Sequence, residues 1–129
     1  MVPKLRVARP TNDLAPLRRF YRDGLGLTEI GEFSNHEGFD GLMLGHPQAP
    51  YHLEFTVQRG HLAPPAPSAE HLLVFYLPNR LEWQAAAERL QALGYAPVVA
   101  YNPYWDRQGL TFQDPDGYRV VLQNAAWDY

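Results

Sequence analysis

The sequence predicts an α+β fold made of two copies of one unit, each a strand, a helix and three further strands. Three observations carry this reading. The order of elements given by hydrophobic periodicity runs through once and begins again, in halves of roughly 55 residues. Both predicted helices stop at a glycine, Gly24 and Gly94, and the chain leaves through similar corners, Leu25-Gly26-Leu27 and Leu93-Gly94-Tyr95. Between the halves, Gln58 to Ala69 holds three prolines and one glycine and reads as a semi-rigid linker. The expected organisation is one domain over residues 1–129, with modules at 4–57 and 70–124 around a linker at 58–69. Each half is too small to bury a good core alone, so the halves are expected to pack together.

The first module opens with a short strand, Lys4 to Arg9, in which Leu5 and Val7 alternate with Arg6 and Ala8. Pro10-Thr11-Asn12-Asp13 breaks it, and Asp13 is placed to cap a helix from Leu14 to Asp23. Leu14, Leu17, Phe20 and Tyr21 fall on one face of that helix. Strands are expected over Thr28 to Phe33 and Phe39 to Leu44, separated by the turn Ser34-Asn35-His36-Glu37-Gly38. The fourth strand, Tyr51-His52-Leu53-Glu54-Phe55-Thr56-Val57, has the clearest period of two in the chain. Its odd positions are apolar and should meet the helix. Its other face sets an imidazole, His52, one strand repeat from a carboxylate, Glu54.

The second module repeats the order. Glu70 to Leu77 reads as a strand, Pro78-Asn79 as a break, and Leu81 to Leu93 as a helix with Ala85, Ala86 and Ala87 at its centre. Tyr95 to Tyr101 is expected to be a strand, Asn102 to Asp106 a loop, and Gly109 to Gln113 and Tyr118 to Asn124 the last two strands. The turn Asp114-Pro115-Asp116-Gly117 joins that final pair with Pro and Gly in favoured places.

The totals exclude several classes of function. The chain has no cysteine, so disulfides, thiol nucleophiles and thiolate metal sites are ruled out. Its net charge of −3 argues against nucleic acid as the main partner. No apolar run is long enough to span a membrane and no signal-peptide core is visible, so the default location is the cytoplasm. There is no glycine-rich phosphate loop, no Gly-x-Ser-x-Gly and no His-Glu-x-x-His.

Three stretches, Phe20-Tyr21-Arg22-Asp23-Gly24-Leu25-Gly26-Leu27, His52-Leu53-Glu54-Phe55 and Asp114-Pro115-Asp116-Gly117-Tyr118, resemble the vicinal oxygen chelate superfamily. That group includes glyoxalase I, bleomycin and fosfomycin resistance proteins and extradiol dioxygenases. Ala8-Arg9-Pro10-Thr11-Asn12-Asp13-Leu14 and Asn102-Pro103-Tyr104-Trp105-Asp106 further resemble its small bacterial YycE-like subgroup. The resemblance implies cupped sheets around a cavity and, in metal-using members, four ligands: one on the first and one on the last strand of each half. Carried over position by position, it assigns these to Arg6, Glu54, His71 and Val121. Arg does not lose its proton to become a ligand and Val has no donor atom, which leaves an incomplete set, Glu54 and His71.

On this basis Glu54 and His71 are the candidate catalytic groups and the candidate ligands for any divalent metal. An ion pair between Arg6 and Glu54 is preferred to a ligand role for Glu54. Arg6, His52, Phe75, Tyr104, Trp105, Arg119 and Gln123 are the candidate substrate-binding residues, Tyr104 and Trp105 as a lid or a contact between subunits. The leading expectation is a homodimeric protein that binds a small molecule in the cavity between its modules, without metal. The alternatives are a metal-dependent lyase, isomerase, transferase or dioxygenase, and a metal-free acid/base enzyme.

Overall fold

The computed structural model describes residues 1–128 and divides into two compact units, Met1–Pro64 and Pro65–Tyr129. The first unit holds a four-stranded sheet built from β1 (Leu5–Pro10), β2 (Thr28–His36), β3 (Phe39–Gly45) and β4 (Tyr51–Gln58), in the order β1-β4-β3-β2. β1 runs parallel to β4, and the other neighbours are antiparallel. A parallel neighbour needs a crossover, and the helix between β1 and β2 begins it.

That helix starts where Asp13 accepts a hydrogen bond from the Ala15 amide at 3.1 Å. It runs as α1 (Leu14–Arg18) and then widens into a π-helical turn, Arg19–Gly24. The periodicity predicts one regular helix over this span. The wider turn leaves the Leu25 amide bonded back to the Phe20 carbonyl at 2.8 Å and places Leu17, Phe20 and Tyr21 together in the core. The left-handed residue of the corner is Gly26, at φ +88°, rather than Gly24. The apolar face of β4 meets the helix as its alternation predicts: Leu53 and Phe55 are buried, and the Tyr21 and Phe55 rings lie 4.9 Å apart. Burial of side chains of this size stabilises by roughly 1.5–3 kcal/mol each.

Arg18 and Arg22 join the helix to the sheet. Arg18 forks onto Glu29 of β2 through Nε at 3.1 Å and Nη2 at 3.2 Å, and Arg22 reaches the same carboxylate at 3.3 Å. These hydrogen bonds, from Arg18 foremost, hold the Glu29 carboxyl below its ordinary value. They tie the helix to the sheet edge. Asn12 accepts from the Ala63 amide at 2.7 Å, which fastens the start of the proline-rich segment to this unit.

The second unit has three strands, β5 (Leu72–Tyr76), β6 (Gly109–Gln113) and β7 (Arg119–Gln123), in the order β5-β7-β6. β5 is parallel to β7, as β1 is to β4. α2 (Arg80–Ala92) is capped by Asn79, whose side chain accepts from the Leu81 and Glu82 amides at 3.0 and 3.1 Å. Gly94 ends it at φ +96°. The helix buries Ala86, Ala87 and Leu90, and Trp83 donates its indole N–H to the Leu122 carbonyl at 2.8 Å. Asp114 closes the final turn by accepting from the Asp116 and Tyr118 amides at 2.8 and 3.0 Å.

The expected strand Tyr95 to Tyr101 does not form. One isolated bridge joins Val98 to Thr111. Pro97 has no amide to donate, and side chains take up the backbone groups that a ladder would use. The Ala100 amide donates to the Asp106 carboxylate at 3.2 and 3.3 Å, and Arg119 Nη1 donates to the Val99 carbonyl at 3.1 Å. Within the expected loop, Asn102 accepts from the Tyr104 amide at 3.0 Å and starts a single turn, α3 (Tyr104–Arg107).

Candidate functional site

The polar face of β4 opens away from α1. In the parallel ladder Arg6 lies opposite His52, and Ala8 opposite Glu54, so Arg6, His52 and Glu54 share one face. Arg6 binds both partners. Its Nε donates to His52 Nε2 at 2.8 Å, and its Nη1 donates to Glu54 Oε2 at 3.2 Å. Because His52 Nε2 accepts, the neutral ring carries its proton on Nδ1. The Arg6 side chain is 49% exposed and that of Glu54 14%, so the guanidinium faces solvent over a shielded carboxylate. The ion pair preferred on sequence grounds is present.

Three glycines share this face. Gly45 lies opposite His52, Gly41 opposite Thr56, and Gly31 opposite Met43, which is itself opposite Glu54. A Cβ on Gly45 would sit 2.9 Å from the His52 Cβ, and one on Gly41 would run into the Phe33 ring. Glycine inside a strand marks close approach of another group, so the signal was legible as Gly31, Gly41 and Gly45 within strand patterns. Beside His52, a cavity of about 370 Å³ is walled also by Lys4, His46 and Tyr51. Burial raises the Tyr51 phenol above its ordinary value.

In the second unit the candidate residues lie on different faces and segments. His71 precedes β5, is exposed, and shares a 2.9 Å hydrogen bond between its Nδ1 and Ser68 Oγ. The strand starts at Leu72, one residue later than the ligand reading of His71 requires. Leu72 pairs with Arg119, Val74 with Val121 and Tyr76 with Gln123, so these six share a face. Leu73 and Phe75 pair with Val120 and Leu122 on the opposite face. Phe75 therefore does not line one surface with Arg119 and Gln123. Val121 and Gln123 are buried, and Arg119 is turned to the Gln113 side chain and the Val99 carbonyl. Tyr104 and Trp105 stack edge to face at 4.9 Å, while Trp127 sits 6.2 Å from Tyr76.

These residues do not fit a metal centre. In the parallel ladders, the place that Arg6 holds beside His52 is held in the second unit by Leu72 beside Arg119, and the place of Glu54 by Val121. Glu54 is bound by the Arg6 guanidinium and His71 by a serine hydroxyl. Among the described residues no three His, Asp or Glu side chains gather as ligands would. Nor is any helix among them long and apolar enough to cross a membrane.

Models of the YycE-like N-terminal domain and the YycE-like C-terminal domain match residues 5–56 and 70–124. The uncharacterised YycE protein of Bacillus subtilis strain 168 is 49% identical over 122 residues, covering 95% of this chain and 88% of that protein. A crystal structure of a Bacillus subtilis YycE protein of unknown function superposes with a TM-score of 0.90 at 48% identity, over 98% of this chain and 93% of that one. Glyoxalase I of Leishmania major, at 17% identity, shares the fold with a TM-score of 0.74 over 95% of this chain and 86% of its own. The chain belongs to the YycE-like family, within the glyoxalase and fosfomycin resistance (vicinal oxygen chelate) superfamily.

Proposed function

We propose that this protein binds a small organic anion without a metal, on the open face of its first sheet. The observation that carries the reading is the Arg6 guanidinium, bound at once to His52 and Glu54 and half exposed. Two of its five N–H donors hold the fork in place, and the rest are oriented for a carboxylate or an oxyacid. Lys4 and His46 line the adjoining cavity, whose one carboxylate among the described residues, Glu29, is already held by Arg18 and Arg22. The Phe33 ring lies over the bare backbone of Gly41, and the His52 Cβ lies against Gly45, so these glycines let neighbouring side chains pack close beside the cluster. His52 and Glu54 position the arginine in this reading and carry no chemistry. The homodimer expected from sequence belongs to the same proposal and is tested by light scattering on the eluted protein.

The test has two arms. Elemental analysis and thermal shifts with Zn²⁺, Ni²⁺, Mn²⁺ and Fe²⁺ should show no stoichiometric metal. Calorimetric titration with a panel of small carboxylates and phosphonates should find a ligand whose affinity falls at least about tenfold in Arg6→Ala, the scale of a lost charge-assisted bond. Near-stoichiometric metal that disappears in Glu54→Ala would overturn the proposal in favour of a metal-dependent enzyme.

A further inference from the structure

The second unit carries a cavity of its own, of about 420 Å³, between the start of β5 and the loop before α3. Leu72, Ala100, Tyr101, Pro103 and Trp105 make its walls largely apolar and aromatic, and Glu70 is the one charged residue that lines it. Its size and lining match those of pockets that hold small organic molecules.

The walls are built rather than loose. Asp106 holds the Ala100 amide, Arg119 holds the Val99 carbonyl, and Asn102 holds the Tyr104 amide, so three side chains fix the course of residues 99–104. Ser68 accepts from the Glu70 amide at 3.1 Å and fixes the other rim. Trp105 is steadied by the edge-to-face contact with Tyr104, whose ring also meets the Arg107 guanidinium at 6.0 Å. Arg119 of β7 keeps its charge but is held at the back of residue 99, donating to the Val99 carbonyl and the Gln113 side chain, and it does not line the cavity.

From this lining we infer a second ligand site, for an organic cation: an aryl-substituted ammonium whose ring packs against Leu72 and Pro103 and whose charge lies over Trp105 and Tyr101, toward Glu70. Aromatic faces attract a poorly hydrated cation through their quadrupoles, and a single carboxylate sets the sign of the charge that is accepted. The site takes ligands of charge opposite to those proposed for the Arg6 cluster.

The experiment uses benzyltrimethylammonium as probe, with neopentylbenzene as its neutral isostere and phenylacetate as its anionic counterpart. Titrations are followed by ¹H–¹⁵N spectra of the full chain. Benzyltrimethylammonium should shift the amides of Tyr101, Asn102 and Tyr104 and the Trp105 indole, and should bind more tightly than either comparator. Glu70→Gln should weaken it about threefold to fivefold, the scale of an exposed charge contact. Tyr101→Ala, at a side chain already 66% exposed, should weaken it similarly while leaving the fold intact. Arg6→Ala should leave it unchanged, which separates this site from the proposed anion site. Equal binding of the neutral isostere with no loss in Glu70→Gln, or shifts confined to residues outside 69–105, would overturn the inference.

Discussion

The two units use the same parallel pairing and part company at their edges and open faces. In the first, the sheet has four strands, and the strand pair β1–β4 carries Arg6, His52 and Glu54. In the second, the sheet has three, and the matching places on β5 and β7 hold Leu72, Arg119 and Val121. The missing strand has been replaced by side-chain bonds from Asp106 and Arg119, which satisfy the backbone without a ladder. A repeated topology thus constrains the pairing and leaves polar chemistry free to differ between copies.

The largest expected effect lies in how each unit seats its helix. The first uses aromatic rings and the second alanines and one leucine. Phe55→Ala removes a buried ring that contacts Tyr21 and should cost about 3–5 kcal/mol, read from urea denaturation. A cost below about 1 kcal/mol would show that the Phe20–Tyr21–Phe55 cluster does not anchor the π-helical turn.

Two glycines sharpen the contrast at the next scale. A Cβ at Gly109 of β6 would meet the Trp105 carbonyl at 2.6 Å and the Gln123 side chain, and backbone does not swing aside. Gly109→Ala should cost about 1–3 kcal/mol. The three atoms nearest a Cβ at Gly41 of β3 all belong to the Phe33 ring, a partly exposed side chain rather than backbone. Gly41→Ala should cost less, and denaturation midpoints of the two variants give the order directly.

The side-chain substitute for the lost strand is smaller still. Asp106→Ala leaves the Ala100 amide without its acceptor and should cost about 1 kcal/mol. The sharper readout is hydrogen exchange: the Ala100 amide should exchange faster in Asp106→Ala, while Asp106→Asn, which keeps an acceptor, should retain part of the protection. Unchanged exchange in both would mean that residues 95–101 hold their course by some other means.

The fold was legible because it is written in short-range signals. The period-two pattern of Tyr51 to Val57, the cap at Asp13, the Leu-Gly corners and the Asp114–Gly117 turn each state their conformation locally. What failed was register and edge pairing, which depend on partners distant in sequence. His71 and Leu72 are one residue apart, and a slip of one exchanges the faces of a strand. Only the ladder to β7 shows that Leu72, and not His71, holds the place corresponding to Arg6. Tyr95 to Tyr101 reads as a strand because its residues favour one; Pro97 was the visible warning. The Arg6–Glu54 pair could be anticipated because both residues sit inside well-marked strands, whereas the accepting role of His52 needed coordinates.

The last contrast concerns acid. In the first unit, Asp40 of β3 receives two bonds from Arg59, at 2.8 and 3.1 Å, and one from the Asn35 amide at 2.8 Å. The Arg59 hydrogen bonds, then the Asn35 amide, lower its carboxyl from 3.8 to about 2. A carboxyl depressed in the folded state contributes stability that is complete above its unfolded value and is lost as pH falls through the folded one. For Asp40 the window therefore runs from 3.8 down to about 2. In Arg59→Gln the Asp40 carboxyl should titrate nearer its ordinary value, so the part of the stability lost between 3.8 and about 2 should shrink. The ¹³C shift of the Asp40 carboxyl, followed through an acid titration, checks this directly. An unchanged midpoint in Arg59→Gln would assign the depression to the Asn35 amide and the tight β2–β3 turn, where Asn35 and Glu37 both hold positive φ.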